Sequence, residues 1–515
     1  MAGKTPYGLS ATSWATALQA VWQSGWWVLV VLVVLGAAPL AAGAYQFLLV
    51  GAHRWRDHYD AVGPSSPRVA ILVPAWNEGA VLDCSIERLV SLDYPGDQLR
   101  VYVVDDASTD DTPQVVQALA RRHHGQVVHV RREKGGEGKA HTLNHGLREI
   151  LADDWMQALL IMDADVVYEA SSLRRMTRHL ADPRVGAVTA YIKEGSRPGN
   201  YLTRFVAFEY AAAQAGGRRA QNVLGAMACL AGGAQLLTRE NLIAVGGRID
   251  PSTLAEDTVT TFLTQLGGRR VVFEPHAVVW AEEPATLSGL CKQRLRWARG
   301  NIQVTRRFRS VWFRPSPDHR LGSIGFGILW FCLLLLPALM IASCLSLLLL
   351  YVLDVGRAWQ VFHALWIVNA VSWLFITSLT LALDPPTGRR VWREALLFPG
   401  AISLSIILLT CVPVAADWLG AHFMSWIGPS WRGPTRTAVT IFSFAWVAGC
   451  MAVAWLAKRL ESTRFRRLSP LLIYIGGYGP LLCMVTLTAY IAEMRNAEMR
   501  WDKTEKTGQV DLRSG

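Results

Sequence analysis

Residues 324–353 run without a single charged side chain. A run of that length marks a helix crossing a bilayer, whose apolar core of about 30 Å takes about 20 helical residues. Further candidates follow at 359–383, 395–416, 438–457 and 471–491, and one precedes them at 26–50. From residue 67 to about 312 no stretch is long and apolar enough to span. The chain therefore reads as a polar domain held between one span and five. Its composition agrees, with 51% apolar and only 18% charged residues, against about 25% charged in soluble domains. A cleaved leader is a poor reading of 26–50, which is long and has no basic stretch directly before it.

The basic clusters set an orientation. "HRWR" (53–56), "DPPTGRRVWR" (384–393) and "KRLESTRFRR" (458–467) fall on one side if the first span runs outside to inside. Positive clusters mark the cytoplasmic side. Six spans then put both termini outside, with loops 354–357 and 417–436 external. "GGYGP" (476–480) invites a break in the last span, and the polar tail beyond Glu493 reads as loosely held. "RRFRSVWFR" (306–314) reads equally as an interfacial amphipathic helix or a plain basic loop. The 21 tryptophans suit membrane interfaces. The net charge of +11 fits cytoplasmic loops facing anionic lipid heads better than a nucleic-acid surface. The eight cysteines stand singly with no C-x-x-C pair, so neither a zinc knuckle nor a disulfide framework is suggested.

In the polar domain, "RVAILVPAWNE" (68–78), "LRVYVVDDAS" (99–108), "VVHVRR" (127–132) and "ALLIMDAD" (158–165) read as strands. A helical stretch at 80–92 lies between the first two. Strands alternating with helices indicate a parallel α/β sheet, whose ligands bind beyond the carboxyl ends of its strands. Three strands run into acids at that end: Glu78, then Asp105 and Asp106, then Asp163 and Asp165. Any one of these could cap a helix. Together they crowd negative charge onto one edge, which a divalent cation with oxygen ligands, magnesium or manganese, would relieve. Asp163 and Asp165 stand two apart, so on an extended strand both can face one way. "EKGGEGKAHTLNHG" (133–146) lacks the P-loop pattern, because Ala140 follows Lys139. Its glycines still permit close backbone approach, and Lys139 could meet a phosphate. Gly232 and Gly233 read equally as a tight turn or a close approach to a ligand. His276, beside a strand, reads more readily as structural than as a third metal ligand.

Taken in order, "VPAWNE", "VVDDASTDDT", "GKAHTLN", "DAD", "LAED" and "QRLRW" resemble membrane-embedded family-2 glycosyltransferases. These are the processive synthases of cellulose, chitin, hyaluronan and poly-N-acetylglucosamine. The resemblance covers residues 65–315 and is nearest to the poly-N-acetylglucosamine and chitin-oligosaccharide branch. It implies an α/β GT-A nucleotide-sugar domain with a multi-span helical membrane region. The divisions expected are a first span with its flank (1–58), a cytoplasmic catalytic domain (59–315), about five membrane helices (316–493) and a polar tail (494–515). It implies a UDP-sugar donor, a growing polysaccharide as acceptor, Mg2+ or Mn2+ as cofactor, contact with membrane lipids, export or accessory proteins, and no nucleic acid. The location implied is the plasma or inner membrane.

Position by position, the resemblance implies donor contacts from Ala75, Glu78, Asp105, Asp106, Lys139 and Asp163. Asp163 and Asp165 hold the metal, and Asp257 is the general base. Glu256, Gln293, Arg296 and Trp297 serve the acceptor and the leaving diphosphate. Direct attack on an α-linked donor inverts the anomeric carbon and gives a β linkage. Two departures stand out. The family's T-E-D is A-E-D here, and no F-x-V-T-x-K loop follows Q-x-x-R-W, which argues against a cellulose synthase controlled by cyclic dinucleotide. Two alternatives remain: one-step transfer to a lipid or polyprenyl acceptor, and a transporter or scaffold with an inactive sugar-nucleotide domain. The remaining cations of 291–300, beyond Arg296, are expected at the surface.

Overall fold

Buried β-branched runs alternate with amphipathic helices to build one eight-stranded sheet in the computed structural model, which describes residues 25–55, 62–499 and 510. In chain order, helices α1 (Gly25–Leu35) and α2 (Ala38–Trp55) lead into β1 (Val69–Ala75), α3 (Gly79–Val90), β2 (Leu99–Asp105), α4 (Thr112–Arg122) and β3 (Val127–Arg131). Then come α5 (Lys139–Ile150), β4 (Ala158–Ile161), β5 (Val166–Tyr168), α6 (Ser172–Thr177), β6 (Val185–Glu194) and α7 (Tyr201–Tyr210). A π-helical segment (Ala211–Gly217) joins α7 to α8 (Arg218–Leu224). The domain closes with β7 (Gln235–Thr238), α9 (Arg239–Ala244), α10 (Glu256–Leu266), β8 (Arg270–Ala281) and α11 (Leu287–Arg307).

The strand order is β3-β2-β1-β4-β7-β6-β8-β5. The first four strands are parallel, as the sequence predicts. β7 pairs antiparallel with both β4 and β6, and β5 antiparallel with β8, so the whole sheet is mixed rather than parallel. Gln235 pairs with Ile161, the last residue of β4. The segment before β7 must therefore cross the carboxyl edge of the sheet and turn back into it. Ala75 pairs with Asp105 and Leu72 with Ile161, which brings Glu78, Asp105 and Asp163 to that same edge. Successive residues of β1 feed opposite cores: Val69, Ile71 and Val73 on one face, Ala70 and Leu72 on the other. Burial on both faces explains why such strands are continuous apolar runs without polar alternation.

Beyond α11 the chain forms α12 (Ile324–Leu353), α13 (Val355–Leu383), α14 (Pro385–Leu396), α15 (Ala401–Cys411), α16 (Pro413–Trp426), α17 (Pro429–Glu461), α18 (Leu468–Gly476) and α19 (Tyr478–Met494). Among the described residues α12, α13 and α17 are each long and apolar enough to cross a membrane. Three bent pairs raise the number to six if each is one span: α1 with α2 at 44°, α14 with α15 at 78°, and α18 with α19 at 94°.

Several expectations change here. The stretch 384–393, read as a loop, lies in α14 except for its cap Asp384, and most of 417–436 is helical in α16 and α17. The run 395–416 is interrupted, because Pro413 begins α16 and keeps the residue before it out of helical geometry. The break at "GGYGP" falls as expected, between α18 and α19. The stretch 308–313 forms turns rather than an interfacial helix. Trp312 there is buried, donates from Nε1 to the Thr305 carbonyl at 3.0 Å, and packs on Phe262 and Trp330.

One apolar cluster runs without interruption from Val69, Ile71 and Val73 of the sheet, through Leu287, Leu290 and Cys291 of α11, to Met451, Ala454, Ile473, Tyr478 and Leu481 of the membrane helices.

Candidate active site

The first two strand ends are fastened to each other. The Ala75 carbonyl accepts from the Asp106 N–H at 2.8 Å. Asn77 turns the chain at φ 53°, a conformation asparagine tolerates better than most residues, and its Oδ1 accepts from the Thr109 N–H at 2.8 Å. The Glu78 N–H donates to Thr112 Oγ1 at 2.8 Å. Asp105 is fully buried. Its Oδ1 accepts from the Ser108 N–H at 2.8 Å, but its Oδ2 has no hydrogen bond. Arg131 Nε stands 3.5 Å from it and His129 Nε2 3.8 Å. Burial holds the His129 imidazole below its ordinary value, although Asp105 pulls the other way. A buried carboxylate oxygen without a donor is costly until a ligand supplies one. Asp106 is engaged differently. It pairs with Arg132 and accepts from the Gly136 N–H at 3.0 Å, so it anchors the glycine loop that leads to Lys139.

Lys139 opens α5 and pairs with Asp163 just past β4. Gly232 lies against both. A Cβ built there would sit 3.2 Å from Lys139 Nζ, 3.6 Å from Asp257 Oδ2 and 3.7 Å from Asp163 Oδ2. Three side chains from three segments thus face one point beside Gly232. Asp257 lies in the first turn of α10, where a helix N-terminus favours negative charge. Its Oδ1 accepts from the Thr258 N–H at 2.7 Å, which turns Oδ2 toward Gly232. Burial opposes the charge on Lys139, yet Asp163, Glu256 and Asp257 hold its ammonium above the ordinary value. Burial, then repulsion from Asp257, raises the Glu256 carboxyl, while Lys139 and Arg296 pull it back.

Asp163 and Asp165 were expected to hold a metal. Among the described residues no three His, Cys, Asp or Glu side chains gather as a closed metal centre. Magnesium, however, is held by one or two carboxylates together with a substrate's phosphates. Asp163 beside Lys139 fits an ion that arrives with a diphosphate, but β4 ends at Ile161, so Asp163 and Asp165 do not share an extended strand as the sequence predicts. Asp165 opens into a cleft shared with Ser85, Glu282 and Val510. His276 is exposed at a bulge of β8, its N–H bonded to Glu274 Oε1 at 2.9 Å, and joins no such group.

Helix α11 carries Gln293, Arg296 and Trp297. At i, i+3 and i+4 they share a face, and Trp297 is 37% exposed. The expectation that the other cations lie at the surface fails for two of them. Arg294 and Arg299 are only 6% and 8% exposed. Arg299 Nε donates to Glu493 Oε1 of α19 at 2.7 Å, and Arg294 pairs with Glu209 of α7. The N-terminus of α11 is held from the membrane side as well. The Leu287 and Ser288 N–H groups donate to the two oxygens of Glu461, the last residue of α17, at 2.7 and 2.6 Å. Arg218, which no motif marks, is buried and donates to Thr189 Oγ1 at 3.3 Å. Thr189 also accepts from the Ala231 N–H at 3.2 Å, steadying the segment beside Gly232.

Gly300 sets α11 against Ala255, just before α10. A Cβ there would meet Ala255 Cβ at 2.7 Å, two residues before Asp257. Gly300→Ala gains about 1 kcal/mol of helix propensity but pushes that segment away. The expected result is lower thermal stability, because overpacking against Ala255 costs about 1–3 kcal/mol and outweighs that gain, with turnover reduced by about tenfold to hundredfold. Thermal inactivation and product formation measured on the same preparation check it.

Residues 67–300 match the family model described as "Glycosyltransferase like family 2". A probable glycosyltransferase of Bacillus subtilis, YdaM, is 30% identical over 266 residues, 51% of this chain and 60% of that protein. The beta-monoglucosyldiacylglycerol synthase of Synechocystis sp. is 34% identical over 254 residues, 49% of this chain and 51% of that protein. The poly-beta-1,6-N-acetyl-D-glucosamine synthase of Staphylococcus aureus is 26% identical over 237 residues, 46% of this chain and 55% of that protein. The chain thus spans between 51% and 60% of the length of these curated relatives.

Proposed function

With residues 67–300 forming a glycosyltransferase-like family 2 domain of GT-A type attached to apolar helices able to span a membrane, we propose that the chain is an inverting synthase. It lengthens a β-linked polysaccharide from a UDP-sugar, UDP-GlcNAc or UDP-glucose, and passes the product outward through its own helices. The catalytic domain faces the cytoplasm. The observation that carries this reading is the convergence of Lys139, Asp163 and Asp257 on Gly232, with α11 packed against the segment that holds the base.

Each residue then has a task. Asp105 Oδ2, buried and without a donor, accepts from the nucleoside, while Ala75 and Glu78 shape the same loop. Asp106 keeps the loop before Lys139 in place. Lys139 binds the diphosphate and Arg296 faces it from α11. Asp163 and Asp165 hold magnesium or manganese, which when bound neutralises charge on the leaving diphosphate. Asp257 Oδ2 takes the proton from the attacking hydroxyl. Gln293 and Trp297 carry the acceptor, and Glu256 keeps negative charge beside the cations.

A second reading has its own support. The similarity to the glycolipid synthase is higher, at 34%, than that to the polysaccharide synthase, at 26%. One sugar would then pass to a diacylglycerol-type lipid and leave sideways into the bilayer. Purified protein in detergent, with magnesium or manganese and each labelled UDP-sugar in turn, decides between them. A polymer sensitive to a β-specific glycosidase supports elongation. A single chloroform-soluble product formed only with diacylglycerol supports the lipid reading. No release of UDP from any donor overturns both.

A further inference from the structure

Arg294 occupies the second place of Q-R-L-R-W, which the motif leaves unassigned. It is buried and touches both neighbours that the motif does assign. Its NH1 donates to Gln293 Oε1, and its guanidinium lies 4.2 Å over the Trp297 ring. Arg294 is itself gripped by Glu209, Nε to Oε1 at 3.1 Å and NH2 to Oε2 at 2.9 Å. Glu209 Oε2 also accepts from the Tyr478 hydroxyl at 2.6 Å. Tyr478 is the first residue of α19, at the 94° bend from α18. Tyr210, next to Glu209, donates to Glu283, whose Oε2 stands 3.9 Å from Arg294 NH1.

A buried guanidinium is tolerated only when its donors are matched, and here the match fixes its plane. That plane in turn fixes the carboxamide of Gln293 and covers one face of the Trp297 indole. We propose that Arg294 is the positioning residue for the acceptor platform, and that Tyr478, through Glu209, ties the platform to the bend in the last apolar helix pair. This rests on the reading of Gln293 and Trp297 as acceptor contacts. The partners of Arg294 are Gln293, Glu209 and Trp297, and no contact with the donor is assigned to it. Its loss should weaken the hold on the acceptor and spare the chemistry on the donor.

Two variants test it, Arg294→Met and the milder Tyr478→Phe, each in the full chain. Three measurements are made on each: UDP release without acceptor, the KM for an N-acetylglucosamine oligosaccharide and for dioleoylglycerol in micelles, and hydrogen exchange of the α11 amides. In Arg294→Met the acceptor KM should rise about tenfold or more, the 1.4 kcal/mol per decade expected for a lost charged contact. In Tyr478→Phe it should rise less, with faster exchange at residues 291–299 in both. UDP release should stay at the level of the unaltered protein, and Arg294→Lys should restore only part of the acceptor binding. An unmoved acceptor KM, or a fall in UDP release equal to the fall in transfer, overturns the positioning role. If the unaltered protein transfers to neither acceptor, the functional reading fails instead. Exchange then decides the tie to α19, and unchanged exchange in Tyr478→Phe overturns it.

Discussion

Asp257→Asn should leave the chain folded and able to bind UDP while turnover falls by about 10²–10⁴-fold, the span attributable to a general base. The amide keeps the shape of the carboxylate, so the bond from the Thr258 N–H to Oδ1 survives. What disappears is the acceptor for the proton on the attacking hydroxyl. UDP binding by calorimetry, set against sugar transfer, separates the two. Equal loss of both would mean that Asp257 holds the donor, and undiminished transfer would remove it from the mechanism.

Lys139→Met should be nearly as damaging, by a different route. The ammonium is the cation nearest to Gly232, and it faces Asp163, Glu256 and Asp257 together. Removing one preorganised cation from a site that stabilises developing charge costs about 10²–10³-fold. The loss should appear in kcat/KM for the donor rather than in the acceptor KM. A shift with pH should accompany it. Burial and Asp257 raise the Glu256 carboxyl, and Lys139 opposes them. Without the ammonium, the Glu256 carboxyl keeps its proton to higher pH. The acid limb of the activity profile should therefore move upward. A profile that falls at the same pH in both proteins would show that Lys139 does not govern Glu256.

The strands of the catalytic edge were legible because each is a short apolar run ended by an acid, and both faces of the sheet are buried. Lys139, Asp163 and Asp257, which short motifs single out, do come together beside Gly232. The burial of Arg294 and Arg299 was not legible. Each is buried by a partner far along the chain, Glu209 at 85 residues and Glu493 at 194. Without those partners a basic helix face reads as solvated. α14 was missed for a local reason. The stretch 384–393 falls between two apolar runs and reads as a connecting loop, but Asp384 caps a helix, Oδ1 accepting from the Thr387 N–H at 3.4 Å. Proline at the first helical position is favourable. The reversal of β7 had no local signal. It follows from where the segment before it crosses the sheet edge, and that is set by contacts between distant elements.

The unbroken apolar cluster from β1 to α19 bears on how the protein is made. A ribosome delivers the chain from its N-terminus, and domains ordinarily fold as units in that order. Here the catalytic sheet emerges early, but Leu287, Leu290 and Cys291 cannot be covered until Met451, Tyr478 and Leu481 arrive. The cap on α11 waits for Glu461, and the partner of Arg299 waits for Glu493. The sheet domain is thus among the first parts synthesised and the last completed. During that interval α11 lacks the supports that α17 and α19 give it.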